Sequence, residues 1–207
     1  MQILAISKPK DAFERQFLSD HHRLRAEVFS GRLGWDVVVK DGLEIDRFDE
    51  IQPTYILAVD DDQRVAGCAR LLPAKGPTMV QDVFATLLPS GKLNAHPAMI
   101  ESSRFCVDTG CQKGRGTATH KISLMMFAGI IEWSLLNGFT EIVTVTDIRF
   151  ERILARVGWP LDRLGPLKKI GVTMAVAGTL PATEQIFRHL RPAGYLSRIS
   201  TPSSQAA

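Results

Sequence analysis

The segment Met99-Ile100-Glu101-Ser102-Ser103-Arg104-Phe105-Cys106-Val107-Asp108 places an acid and a base inside an otherwise apolar, strand-like run. Apolar residues on both sides of the charges predict a buried or half-buried strand. Burying an unpaired charge costs several kcal/mol or changes its protonation, so Glu101 and Arg104 require partners from elsewhere in the chain. They also differ in parity, and a regular strand would send them to opposite faces. If both serve one pocket, the strand must be bulged or twisted between them.

Three other segments set charges beside large apolar residues. Arg25 and Phe29 are four apart and share a helix face, with Trp35 just past the helix end. An aromatic pair beside a guanidinium suits a flat ring or a sulfonium cation, and equally a helix end packed on the core. Asp46 and Asp49 straddle Phe48 in a loop; they suit one cationic or polar ligand group, or simply a turn. Arg70 follows the apolar run Val65-Ala66-Gly67-Cys68-Ala69 and needs a carboxylate, because an unpaired buried guanidinium is very unfavourable. Two cations from strands, one from a helix and three carboxylates suit a zwitterionic, amino-acid-like substrate with an additional positive centre.

The elements that must carry these groups are legible in outline. Met1 to Ile6 predicts a strand, and Asp11 to about Gly31 a helix, with apolar residues at three- and four-residue spacings. His21 and His22 fall inside it as solvated or core-edge residues rather than metal ligands. Residues 31–48 read as a glycine-bearing loop with a short strand at Val37–Val39. Thr54–Val59 and Arg64–Leu72 predict a hairpin about Asp60-Asp61-Asp62-Gln63, and Gln81–Leu88 a short helix. A long helix spans Thr117 to Asn137 and stops at Gly138. Glu141–Thr146 predicts a strand, with Asp147 capping a helix that reaches Val157. Trp159–Leu167 and Ile170–Gly178 read as extended, Glu184–Leu190 as a last helix, and the tail from Ser200 as frayed. Strands and helices alternating in this way predict an α/β fold, one sandwich over residues 1–199.

At 207 residues, 45% hydrophobic and 23% charged, the chain can bury a full core. Its formal charge of +3 is too small to imply nucleic-acid binding. Cys68, Cys106 and Cys111 are odd in number and lack CxxC spacing, which fits reduced, structural thiols and no metal site. No export signal and no apolar run of membrane-spanning length is present. A cytoplasmic protein is the expectation.

The run Arg25, Phe29, Trp35, Asp46, Asp49, Arg70, Glu101-Ser-Ser-Arg104-Phe105 resembles the acyl-homoserine-lactone synthases, the LuxI-type autoinducer synthases. The similarity runs from about Met1 to Tyr195, and eight charged or aromatic positions of the family pattern are all filled. Gly67-Cys68-Ala69-Arg70-Leu71-Leu72-Pro73 and Thr140-Glu141-Ile142-Val143-Thr144 are similar to the TraI-type conjugal-transfer subgroup. The resemblance implies a three-layer α/β/α sandwich similar to the GNAT N-acyltransferases, with an N-terminal part that is mobile over about residues 31–48. It also implies transfer of an acyl group from acyl-carrier protein to the amine of S-adenosylmethionine. Lactone closure and release of 5′-methylthioadenosine follow, with adenosylmethionine a substrate and no cofactor required.

Roles follow residue by residue from the same resemblance. Glu101 is the base that frees the amine, with Arg104 beside it in the catalytic segment. Arg25, Asp46, Asp49 and Arg70 hold the substrate or lock the loop over it, and Phe29, Trp35 and Phe105 line its pocket. Thr144 falls where a threonine accompanies 3-oxo acyl chains, although threonine is also simply a good strand residue. Leu124, Met125 and Val143 are candidate acyl-chain contacts, and would be core in any α/β domain. Arg149, Arg152 and Arg156 lie along one helix face and suit docking of an acidic carrier protein or mere solvation; Lys168 and Lys169 are second candidates. Lys113-Gly114-Arg115-Gly116-Thr117-Ala118 resembles the GNAT pyrophosphate loop and supports the rival reading, a GNAT-like N-acyltransferase taking acyl-coenzyme A.

Overall fold

The structure is a computed structural model that describes residues 1–110 and 117–199. Two compact units divide the described chain: Met1–Arg70 with Arg104–Ile130 and the segment from Arg191, and Leu71–Ser103 with Ile131–Leu190.

In the first unit, β1 (Gln2–Ile6) pairs antiparallel with β4 (Thr54–Val59), from Gln2↔Val59 to Ile6↔Tyr55. All six residues of β4 are buried, as befits a strand covered on both faces. The strand order continues β1-β4-β5-β6, where β5 is Val65–Pro73 and β6 is Met99–Val107. The free edge of β1 is covered by the chain's last described segment: Ile3 N donates to Leu196 O and Arg198 N to Ile3 O, both at 2.8 Å.

Helix α1 (Ala12–Arg25) starts where Asp11 accepts a hydrogen bond from Glu14 N at 2.8 Å. Phe17, His21, Leu24 and Arg25 form its buried stripe, the four- and three-residue spacing of an inward helix face. From Ala26 to Arg32 the helix widens into a π-helix, a form that recurs at functional sites. The unit's core joins Phe17, Leu24, Val28 and Phe29 to Tyr55, Leu57, Val59, Val65, Cys68 and Cys106. The two thiols lie 3.3 Å apart, and burial, then Cys68, pushes the Cys106 thiol well above its usual range. Both are structural, as expected; Cys111 lies outside the described residues.

The stretch 31–48 is not all loop. A two-stranded hairpin joins β2 (Val39–Lys40) to β3 (Leu43–Glu44), so the strand begins where the expected one ended. Its turn is Asp41-Gly42, with φ of 52° and 76°. Both central residues positive is the type I′ hairpin that Asp-Gly favours.

In the second unit, β6 pairs in parallel with β7 (Glu141–Asp147), Met99 opposite Glu141 and Glu101 opposite Val143. The strand β10 (Thr173–Pro181) pairs antiparallel with β7 and also takes β8 (Asp162–Arg163) and β9 (Lys168–Ile170). Gly178 of β10 has no room for a side chain: a Cβ would meet Leu161 Cγ at 2.5 Å and Asp162 O at 2.7 Å. The two extended segments expected over 159–178 are thus two short strands and a longer one that starts later. Helix α4 (Ile148–Arg156) is capped by Asp147, which accepts from Arg149 N and Phe150 N, and α5 covers Glu184–Leu190.

In place of a helix over 81–88 there is a single turn, α2 (Met79–Asp82), and a 3₁₀ turn at Ala85–Leu87. Thr78 caps α2 by accepting from Gln81 N, which moves the start earlier than apolar spacing suggested. The long helix α3 spans Thr117–Leu136. It closes as expected, Gly138 taking φ of 78° while Phe139 N donates to Ser134 O. Among the described residues no helix is long and apolar enough to cross a membrane.

Candidate active site

The strand β6 is irregular at Arg104, which has φ of 54°. A left-handed conformation is unfavourable for a residue with a Cβ by about 1–2 kcal/mol, so surrounding contacts must hold it. Its guanidinium supplies them. Arg104 Nε lies 3.1 Å from Glu44 Oε1, and Nη2 reaches Glu44 Oε1 and Asp46 Oδ2, both at 2.9 Å.

Arg104 is one member of an array of three guanidiniums and three carboxylates. Arg25 donates from Nε to Glu44 Oε2 at 2.5 Å and grips Asp49 with both terminal nitrogens, at 2.8 and 2.9 Å. Arg70 donates to both oxygens of Asp46, at 2.5 and 3.1 Å, and to Asp49 Oδ1 at 2.9 Å. Each carboxylate therefore touches at least two arginines. Arg25, Arg70 and Glu44 are fully or almost fully buried, a placement that only such mutual pairing makes tolerable.

The protonation states follow from burial and pairing. Burial opposes the charge on Asp49, but the Arg25 hydrogen bonds and charge, then Arg70, outweigh it and hold its carboxyl far below the usual range. Burial likewise opposes the charge on Arg25, and Asp49 and Glu44 more than restore it. Arg70 is raised in the same way by Asp46 and Asp49.

Asp46 and Asp49 are turn residues and array members at once. Phe48 N donates to Asp46 Oδ1 and Asp46 N to Asp49 Oδ2, so the turn that orders the loop also aims both carboxylates. Phe29 and Trp35 stack at 5.1 Å, nearly parallel, and Arg104 lies 5.5 Å over the Phe29 ring. The π-helix sets this up: Trp35 N donates to Phe29 O, folding the chain back over the ring. Trp35 keeps 36% of its surface exposed, so the stack has an open side.

Two members escaped sequence reasoning. Glu44 bridges Arg25 and Arg104, and an acid between apolar Leu43 and Ile45, after an Asp-Gly turn, was the available signal. Tyr55 donates from its hydroxyl to Asp49 Oδ1 at 2.7 Å; burial, then the Asp49 charge, raises its pKa well above the ordinary value. In an all-buried strand nothing marked it out.

In the second unit Glu101 is fully buried, and its Oε2 accepts from Val80 N of α2 at 2.7 Å. The hydroxyl of Thr144 donates to Ser102 O at 2.7 Å. Val143 belongs to a core with Val80, Leu87, Leu88, Met99 and Ala177. Arg149, Arg152 and Arg156 are exposed on α4, and Lys168 and Lys169 are exposed on β9. On α3, belonging to the first unit, Met125 is buried, Leu124 is half-buried, and Phe127 stacks on Phe105 at 5.2 Å. The loop 113–116 lies outside the described residues, as do the side chains of Thr117 and Ala118.

The family model of the autoinducer synthases matches residues 10–190. The chain belongs to the autoinducer synthase family. It is 63% identical, over the full length of both chains, to a probable acyl-homoserine-lactone synthase of Sinorhizobium fredii. It is 33% identical to the crystal structure of the AHL synthase LasI, with a TM-score of 0.78 and 94% of each chain covered. This autoinducer synthase is accordingly an acyltransferase. Its α/β fold recurs in the CoA-dependent acyl-homoserine lactone synthase BjaI, 24% identical with a TM-score of 0.84 over 97% and 94% of the chains. It recurs more distantly in an N-acetyltransferase of Lactobacillus plantarum, 15% identical with a TM-score of 0.57 over 88% and 98%. The expected similarity of fold to N-acyltransferases holds.

Proposed function

We propose that this autoinducer synthase transfers a 3-oxo-acyl group from acyl-carrier protein to the amine of S-adenosylmethionine, then closes the lactone and releases 5′-methylthioadenosine. The observation that carries the substrate reading is the six-membered array of Arg25, Arg70, Arg104, Glu44, Asp46 and Asp49. Its alternating charges suit a molecule that brings an ammonium, a carboxylate and a sulfonium together. The Phe29–Trp35 stack beside Arg104 offers π-faces to the sulfonium or the adenine. BjaI, whose fold this chain shares, has been solved with SAM and isopentyl-CoA.

The amine must lose a proton before it attacks the thioester. Glu101 is the base: a carboxylate acts there directly or through one water, and the Val80 amide fixes its orientation. The tetrahedral oxyanion then needs donors such as backbone N–H groups. Lactone closure is intramolecular, the substrate carboxylate displacing the thioether at the γ-carbon, so the protein's task is to hold a folded conformer.

The 3-oxo carbonyl needs a donor, and Thr144 supplies one by turning its hydroxyl away from Ser102 O. The exposed arginines of α4 suit an acidic carrier protein, and the reaction belongs in the cytoplasm, where carrier protein and adenosylmethionine are made available. Incubation of purified protein with adenosylmethionine and a series of acyl-carrier proteins or acyl-coenzymes A, read by mass spectrometry, tests the reading. Acyl lactone and methylthioadenosine with the carrier-protein series are expected. Turnover with coenzyme A alone would reassign the donor, and no lactone from any donor would overturn the reaction.

A further inference from the structure

The array is built on a buried aromatic layer that the reaction itself does not use. Asp49 accepts from Tyr55 Oη, Arg25 Nη1 and Arg70 Nη1 on Oδ1, and from Arg25 Nη2 and Asp46 N on Oδ2. That exceeds the roughly four lone-pair sites a carboxylate offers. Three of the donors belong to two guanidiniums, Arg25 and Arg70, that other acids also hold, and one to the backbone of the loop that carries Asp49. The phenol is the one uncharged side-chain donor among these, and it comes from β4, a sheet strand buried along its whole length.

The Tyr55 ring is fixed in turn. It packs against His21 with centroids 4.3 Å apart and meets His22 edge-on at 6.0 Å. His21 is fully buried, and neither ring nitrogen makes a hydrogen bond of normal geometry among the described residues, although the Leu18 carbonyl lies close by. Such a ring is an unfavourable occupant of a core unless its packing is needed. His22 is tied by Nδ1 to Glu44 O at 2.9 Å, so the same histidine pair braces the backbone at Glu44 and the ring beneath Asp49.

We infer that Tyr55, backed by His21, is a positioning residue of this synthase. It locks the Asp49 carboxylate, and through it the Arg25 and Arg70 guanidiniums, in the orientation that receives the amino-acid portion of the substrate. The inference rests on the proposed reaction for its last step. The first step, from Tyr55 to the arginines, stands on geometry alone.

The Tyr55→Phe variant removes the hydroxyl and keeps the ring on His21. Its first readout needs no substrate: the Arg25 and Arg70 guanidinium resonances should broaden and exchange faster with solvent by NMR. Those of Arg104, held by Glu44 and Asp46 instead, should stay unchanged. The second is function: adenosylmethionine affinity and KM should weaken about tenfold, the loss expected for one hydrogen bond to a charged group, while KM for the acyl donor stays within twofold. Unaltered Arg25 and Arg70 signals, or adenosylmethionine affinity within twofold of wild type, would overturn the assignment. An equal loss toward both substrates that tracked a lower Tm would do the same. Wild-type protein that bound no adenosylmethionine would sink the reaction, and the NMR comparison would still decide the role of Tyr55 in the array.

Discussion

Arg25 and Asp49 meet as a parallel fork, two N–H···O bonds of 2.8 and 2.9 Å between groups that are both buried. The bidentate geometry joins helix α1 to the loop after β3, and Arg70 of β5 closes on the same carboxylate. One residue thus holds three elements, and its removal should be felt as instability as well as lost activity.

Asp49→Ala leaves Arg25 and Arg70 buried with one acid fewer each. Breaking a buried ion pair from one side costs about 3–5 kcal/mol, and that is the expected fall in unfolding free energy by urea titration. A loss below about 1 kcal/mol would show the array to be held mainly by its other members.

Stability should also depend on pH through the histidine pair. Burial, then His22 and Arg25, holds the His21 pKa well below the ordinary 6.5, against the opposing pull of Asp49. Burial, then Arg25, lowers His22. The unfolded chain therefore binds more protons than the folded one below pH 6.5. The contribution is complete above that value and declines as pH falls from it toward the depressed folded values. The decline for His21 is at most about 1.4 kcal/mol per pH unit. Urea midpoints at pH 7.5 and 5.5 measure it, and His21→Phe, which keeps a ring against Tyr55, should flatten the difference. An unaltered pH dependence in the variant would exclude His21 as its source.

Glu101→Gln keeps an oxygen to accept from Val80 N and loses the basic carboxylate. Turnover should fall by roughly 10²–10⁴-fold, the usual worth of a general base, with the thermal midpoint little changed. A fall of less than tenfold under saturating substrates would place the base elsewhere.

Thr144→Ala removes a donor now spent on Ser102 O. Under the proposed specificity the ratio of kcat/KM for 3-oxo over unsubstituted chains of equal length should drop about fivefold or more, since leaving the extra carbonyl unpaired costs about 1–3 kcal/mol. An unchanged ratio would make Thr144 a strand residue only.

Many elements of the fold are readable because their signals are local. Asp11 before an apolar stripe, Gly138 after one, Asp147 before another and the Asp-rich turn at 60–63 each mark a boundary within a few residues of chain. The failures have the same cause. Around Val39 the Asp41-Gly42 turn, not the apolar run before it, sets where the strand lies, and at Met79 the Thr78 cap outweighs the apolar spacing of 81–88. In the array, Arg25, Asp46, Asp49, Arg70 and Arg104 stood out because charges beside apolar residues demand partners.

The amino-acid sequence by itself determined which charges had to be paired, that Glu101 and Arg104 could share one pocket only across an irregular β6, and which family the pattern resembles. Only the tertiary structure decided who pairs with whom. Glu44 joins Arg25 across 19 residues and Arg104 across 60, and Tyr55 reaches Asp49 from the next strand. Those choices rest on desolvation, which makes a buried guanidinium take whichever carboxylate the packed backbone brings within 3 Å. Spacing along the chain carries no record of that proximity.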